Sequence, residues 1–261
     1  MTHASRPRNL IRRSLAGASG ILAGTVIMAV GATAAHAVTL CEANPGVIQT
    51  ATTVIGTPGN DTINCGAGDP GKRIEGRGGN DTITGTAFAD TIIGGAGNDT
   101  ITGGPATSTG NDNLAGNVGD DTMTGAAGND TLDGGDGSDT LTGSPGNDNL
   151  AGGAGNDTET GSEGTDTLVG NLGNDILTGS DGNDNVNGNA GDDKLNGGTG
   201  NDSLNGGLGT DILNGDAGDD SLTGPPFPLD LSVDTLNGGL DTDNCQGPGL
   251  VVPDVLIACN P

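Results

Sequence analysis

The chain has 261 residues, 53 of them glycine, with aromatic residues at 1 % and a formal net charge of −26 at pH 7. So little bulky apolar content excludes an ordinary globular core, and so acidic a surface excludes nucleic acid and anionic membrane as natural partners and favours cations. Tryptophan and tyrosine are absent, and the histidines are His3 and His36 alone.

Residues 1–37 read as a cleaved export signal. Arg6, Arg8, Arg12 and Arg13 form a basic start, an Ala/Gly/Ile/Val-rich run extends from Leu15 to Ala34, and Ala35-His36-Ala37 is a small-x-small cleavage site. Gly, Ala, Ser and Thr dilute the run too far for a membrane anchor, so no membrane span is expected after cleavage. Arg12-Arg13-Ser14-Leu15 partly resembles a twin-arginine signal, which leaves the export route open. Maturation at Val38 leaves four basic residues against 34 acidic ones, a formal charge of −30, and removes both histidines. Ser-His-Asp and Cys-His catalysis and histidine-based zinc sites go with them, and an enzyme is not expected.

Residues 38–55 alternate and are moderately apolar, as an N-terminal cap would be. From residue 56 the chain carries irregular versions of one short phrase. Asp61 comes with Ile63, then a copy stretched by Pro70-Gly71-Lys72-Arg73 ends at Ile74, and Asp81 with Ile83, Asp90 with Ile92 and Asp99 with Ile101 follow.

Between Thr107 and Thr223 the phrase becomes strict: a nine-residue frame, G-x-x-G-[N/D]-D-x-L-x, is written thirteen times without a gap. The fourth position is always Gly, and the sixth is always Asp: Asp112, Asp121, Asp130, Asp139, Asp148, Asp157, Asp166, Asp175, Asp184, Asp193, Asp202, Asp211 and Asp220. The eighth is apolar except at Glu159. One apolar residue in nine cannot bury a face alone, so the copies must stack, with the x-L-x half as a short strand and the Gly-rich half as a turn. Two copies then make an eighteen-residue turn, which sets Asp148 over Asp166 and Asp157 over Asp175, about 4.8 Å apart. Carboxylates so stacked repel by about 0.8 kcal/mol per pair even at the dielectric of water, so a cation between them is required. Carboxylates and turn carbonyls are hard oxygen donors, which suit Ca2+ better than Mg2+ or a transition metal.

The phrase resembles the repeats-in-toxin (haemolysin-type) nonapeptide G-G-x-G-x-D-x-U-x. The resemblance implies an all-β parallel β-roll, a β-solenoid over residues 56–246, with Ca2+ held between successive loops by the sixth-position Asp and by loop carbonyls. Carried over to this sequence, the ligands are the thirteen aspartates above together with Asp61, Asp81, Asp90, Asp99, Asp234 and Asp243. The second position is Gly only at 135, 153, 198 and 207, and is otherwise Ser, Asn, Ala or Asp. Asn and Asp tolerate a left-handed backbone better than Ser and Ala do.

After Asp220 a second proline insertion, Pro225 to Pro228, precedes Asp234 with Leu236 and a last copy with Asp243 and Cys245; residues 247–261 read as a C-terminal cap. Cys41, Cys65, Cys245 and Cys259 in an exported chain read as disulfides. Of the three pairings, only 41–65 with 245–259 avoids joining opposite ends of a long roll, and solenoid ends need such capping.

The function expected is that of a secreted, extracellular protein that binds calcium ions, folds on them and acts as a structural or adhesion-like interaction module. Its macromolecular partner is a cell surface, a polysaccharide or none. Thr-x-Thr recurs at 100/102, 122/124, 140/142 and 158/160 before breaking at Ile176 and Lys194, so an ice- or polysaccharide-binding flat face is an alternative. A second alternative is an accessory repeat remnant of a secreted enzyme or toxin.

Overall fold

A computed structural model describes residues 41–224, 234–239, 241–246, 255–257 and 259. The export signal at 1–37, the Pro225–Pro228 insertion and most of the 247–261 cap lie outside the described residues.

Each x-L-x segment is a strand because its outer residues are mostly Thr, Asn or Ser and its middle residue is apolar, which fits a pleated surface buried on one side. Thr140–Thr142 and Asn149–Ala154 are consecutive examples, and their middle residues Leu141 and Leu150 are 0 % and 2 % exposed. Consecutive strands do not pair with each other. They enter two different sheets alternately, so that Thr140–Thr142 pairs with Thr122–Thr124 on one side and Thr158–Glu163 on the other, while Asn149–Ala154 pairs with Thr131–Asp136 and Thr167–Leu172.

Among the described residues this gives two twelve-stranded sheets, one starting at Glu42–Ala43 and the other at Ile48–Gln49. All pairings are parallel except at the N-terminal end, where Glu42–Ala43 runs antiparallel to Thr62–Asn64 and Ile48–Gln49 antiparallel to Thr53–Ile55. In the strict region the register is 18 residues per turn: Leu141 lies beside Met123, and Leu150 beside Leu132. The fold is thus the parallel β-roll expected, with two copies per turn.

The core is two facing files of side chains, one from each sheet. Ile83, Ile101, Met123, Leu141, Leu177, Leu195 and Leu213 come from the first sheet, and Val54, Ile74, Ile92, Leu114, Leu132, Leu150, Leu168, Val186, Leu204 and Leu222 from the second, all at most 2 % exposed. Glu159 occupies a core position, 0 % exposed, in register with Leu141 and Leu177. Its Oε2 accepts the Val169 N–H at 3.1 Å, so the carboxyl crosses to the opposite sheet for its partner.

Cys41–Cys65 and Cys245–Cys259 are both disulfide-bonded, one near each end of the roll. They close segments with sequence separations of 24 and 14, each stabilising by about 3 kcal/mol where unstrained. Among the described residues no helix is long and apolar enough to cross a membrane.

Candidate metal centre

The roll's two edges each carry one column of aspartates. Asp61, Asp81, Asp99, Asp121, Asp139, Asp157, Asp175, Asp193, Asp211 and Asp234 immediately precede first-sheet strands; Asp90, Asp112, Asp130, Asp148, Asp166, Asp184, Asp202, Asp220 and Asp243 precede second-sheet strands. All nineteen are between 0 and 3 % exposed. The structure therefore gathers every aspartate singled out by the repeat frame into two files.

Within a file the two carboxylate oxygens differ. Oδ1 accepts the backbone N–H of the preceding turn's aspartate: Asp130 N–H to Asp148 and Asp148 N–H to Asp166, each at 2.7 Å. Oδ2 of every column aspartate from Asp99 to Asp220, and of Asp81 and Asp243, is buried without a hydrogen-bond partner in the protein. A buried acceptor left unmade costs about 1–3 kcal/mol, more when charged, and repetition down two files excludes an accident of packing.

These orphaned oxygens converge on backbone carbonyls. At Gly179 an added Cβ would lie 2.7 Å from the Gly197 carbonyl and closer still to Asp184 Oδ2, and at Gly161 it would lie 2.8 Å from the Gly179 carbonyl beside Asp166 Oδ2. The first-position glycine thus leaves open a pocket walled by one carboxylate oxygen and a carbonyl from the next turn. Among the described residues no three Asp, Glu, His or Cys side chains cluster as a metal-binding group, so a cation here would have to draw on backbone oxygen as well. That donor set fits Ca2+, which takes six to eight oxygen ligands at about 2.3–2.6 Å.

The loops that shape these pockets turn through the left-handed region twice. The fourth-position glycines do so from Gly119 to Gly218, as at Gly155 with φ 138°. From Asn117 onward the second position does so whatever its residue: Asn171 at 75° and Asp216 at 70°, but also Ala126 at 82° and Ser162 at 95°. Ser and Ala are held there against a preference of about 1–2 kcal/mol.

Burial makes the files hard to ionise with protein atoms alone. It pushes Asp148 and Asp112 up to about 7, with neighbouring column carboxylates adding to the rise, and it pushes Asp166 and Asp193 up to about 6. The N–H bond from the preceding turn opposes the shift in each case. A divalent cation at Oδ2 would restore the ionised form.

Four residues with a part at these edges were not singled out as site residues in the sequence. Lys72 occupies an aspartate's place in the second file, Asp69 lies beside it, and Thr57 and Thr86 bond to Asp61 and Asp90. One signal was available: counting back nine from Asp81 lands on Lys72.

The family of the RTX calcium-binding nonapeptide repeat (4 copies) matches residues 50–69, 75–105, 107–141, 125–159, 160–195 and 188–222, together more than half of the chain. No curated protein matches the chain.

Proposed function

The chain belongs to the RTX calcium-binding nonapeptide repeat family, and on that footing we propose that it is a secreted protein that folds on calcium and serves outside the cell as a structural or adhesion-like module. Repeats of this family bind Ca2+ as part of their structure. In this chain the ligands are the orphaned Oδ2 atoms of the two aspartate files together with loop carbonyls, and those oxygens are the observation that carries the reading. Two disulfides support an oxidising, extracytoplasmic setting. The reading is of a binding module and not of an enzyme.

Far-UV circular dichroism and hydrodynamic radius, with calcium and with chelator, test it. The chain should be expanded in chelator and compact in calcium, with a midpoint of about 10⁻⁴–10⁻³ M as for other extracellular modules. Identical values in both would sink the reading. Labelled protein should then associate with cells of the producing organism, or with their envelope polysaccharide, in calcium and dissociate in chelator.

One observation favours a second reading, a flat-face binder of ice or polysaccharide. Five consecutive Thr-x-Thr rungs, from Thr82/Thr84 to Thr158/Thr160, are in register on the outer face of the first sheet. Slowed ice recrystallisation by the calcium-loaded protein, lost on replacing Thr122 and Thr140 by Lys, would support it; no effect on ice would leave polysaccharide alone.

A further inference from the structure

The N-terminal end of the roll is built differently from the rest. Asp61 and Asp90 are the column members whose Oδ2 is taken by an adjacent threonine. Asp61 Oδ2 accepts from Thr57 N–H at 2.6 Å and Thr57 Oγ1–H at 3.0 Å, and Asp90 Oδ2 accepts from Thr86 N–H at 2.6 Å and Thr86 Oγ1–H at 3.0 Å. Thr57 and Thr86 stand at the second position of their copies, where the strict copies from Asn117 onward turn to positive φ. β-Branched threonine resists that conformation, and neither residue adopts it. Their loops fold back on their own aspartates instead. Asp90 Oδ1 is occupied as well, by the Lys72 N–H at 2.5 Å.

Lys72 holds an aspartate's place. Arg73 pairs with Thr91, so Lys72 aligns with Asp90, and its backbone makes the column's two standard bonds: its N–H to Asp90 Oδ1, and its carbonyl accepting Thr91 N–H at 2.8 Å. Its side chain is 1 % exposed, and Nζ donates to the Ala51 carbonyl at 3.0 Å and lies 3.8 Å from Oδ2 of Asp69, itself 2 % exposed. An ammonium thus sits among oxygens where other turns present an orphaned carboxylate. Lys72, Arg73 and Arg77 are three of the four basic residues after position 37, and the family match is interrupted between 69 and 75, where Lys72 lies.

We propose that the first rung of each aspartate file is not a calcium site: Thr57 and Thr86 satisfy Asp61 and Asp90, the Lys72 ammonium replaces the cation, and this end, closed by Cys41–Cys65, folds without calcium. The calcium-dependent turns then assemble on a preformed edge. Nucleating a parallel sheet is slow because its strands are brought together only after long loops close, and an edge already in place removes that step. The proposal rests on the calcium reading for the remaining turns.

Hydrogen exchange followed peptide by peptide on the full chain, in calcium and in chelator, tests it. In chelator, amides of Thr62–Asn64 and Arg73–Gly78 should stay at least tenfold protected while those of Asn149–Ala154 and Ser203–Leu208 exchange as unfolded. Equal loss of protection along the whole chain overturns the proposal and leaves the calcium reading standing; no change anywhere overturns both. Calcium stoichiometry gives a second arm. Asp90→Asn should leave the number of bound calcium ions unchanged, whereas Asp148→Asn should lower it. Lys72→Asp should abolish protection of Arg73–Gly78 in chelator. A drop in stoichiometry with Asp90→Asn, or full protection retained in Lys72→Asp, overturns the assignment.

Discussion

The backbone N–H of Asp148 donates to Oδ1 of Asp166 across 2.7 Å, joining two carboxylate-bearing residues eighteen positions apart. Asp157, halfway between them in sequence, bonds instead to Asp175 and belongs to the other file. Contacting residues couple energetically and distant ones add. In a double-mutant cycle on calcium-dependent stability with Asn substitutions, the pair 148/166 should be non-additive by about 0.5 kcal/mol or more, and the pair 148/157 close to additive. Coupling of 148/157 without coupling of 148/166 would contradict calcium sites confined to single files.

Glu159 lies in the core file bonded to Val169 N–H, and burial first and the charge of Asp157 second push its carboxyl up to about 8, against the lowering effect of backbone N–H groups at Gly152 and Val169. Because the folded value lies above the unfolded one, the protonated form is the stable one in the core. Its contribution is fully present below the unfolded value and is lost as pH rises through about 8. Glu159→Leu adds apolar burial but removes the acceptor from Val169 N–H, two effects of similar size and opposite sign. Removing the buried acid decides the balance, so the variant should melt higher in saturating calcium at pH 8 and show a flatter dependence of Tm on pH between 5 and 8. An equal or lower Tm at pH 8 would show that the backbone bonds to the carboxyl suffice.

The column aspartates have the same sign. With burial raising Asp148 to about 7 and Asp157 to about 6, the calcium-free roll favours protonated carboxyls, and that stability is lost as pH rises through 6 to 7. Protons and calcium should therefore compete. The calcium midpoint for folding should move to higher concentration between pH 7.5 and 5.5, and calorimetry at pH 6.5 in buffers of different ionisation enthalpy should register proton release on binding. A midpoint independent of pH would argue against Oδ2 as the ligand.

The second loop position offers a test of strain. Ser162 holds φ 95°, where glycine would be unstrained, so Ser162→Gly should raise stability in calcium by about 1 kcal/mol. Gly155→Ala at φ 138° should lower it by more than that, since the new Cβ would also press on the Gly137 carbonyl. Thermal melts of the two variants, moving in opposite directions, check the expectation.

A nine-residue period with an Asp at one place and an apolar residue at another constrains a chain severely. One inward side chain per copy can be buried only by stacking copies, and from that followed the two sheets, the eighteen-residue turn and the membership of both core files, while the two disulfide pairings followed from the length of the stacked roll. The misfit at Glu159 was visible for the same reason. What lay beyond the sequence were contacts made one full turn away. The division of each carboxylate into a hydrogen-bonded Oδ1 and an orphaned Oδ2 depends on where the preceding turn's N–H comes to rest, and no single copy contains that information. Ser162 and Ala126 take positive φ because bonds from adjacent turns outweigh their own preference. Lys72 was masked by the longer loop ahead of it, although counting back nine from Asp81 reaches it, and the pairing of Arg73 with Thr91 places it in the aspartate file; the roles of Thr57 and Thr86 are hydrogen bonds to Asp61 and Asp90 that composition does not show. Local periodicity therefore decided the roll, and register across turns decided which of its aspartates keep an orphaned oxygen.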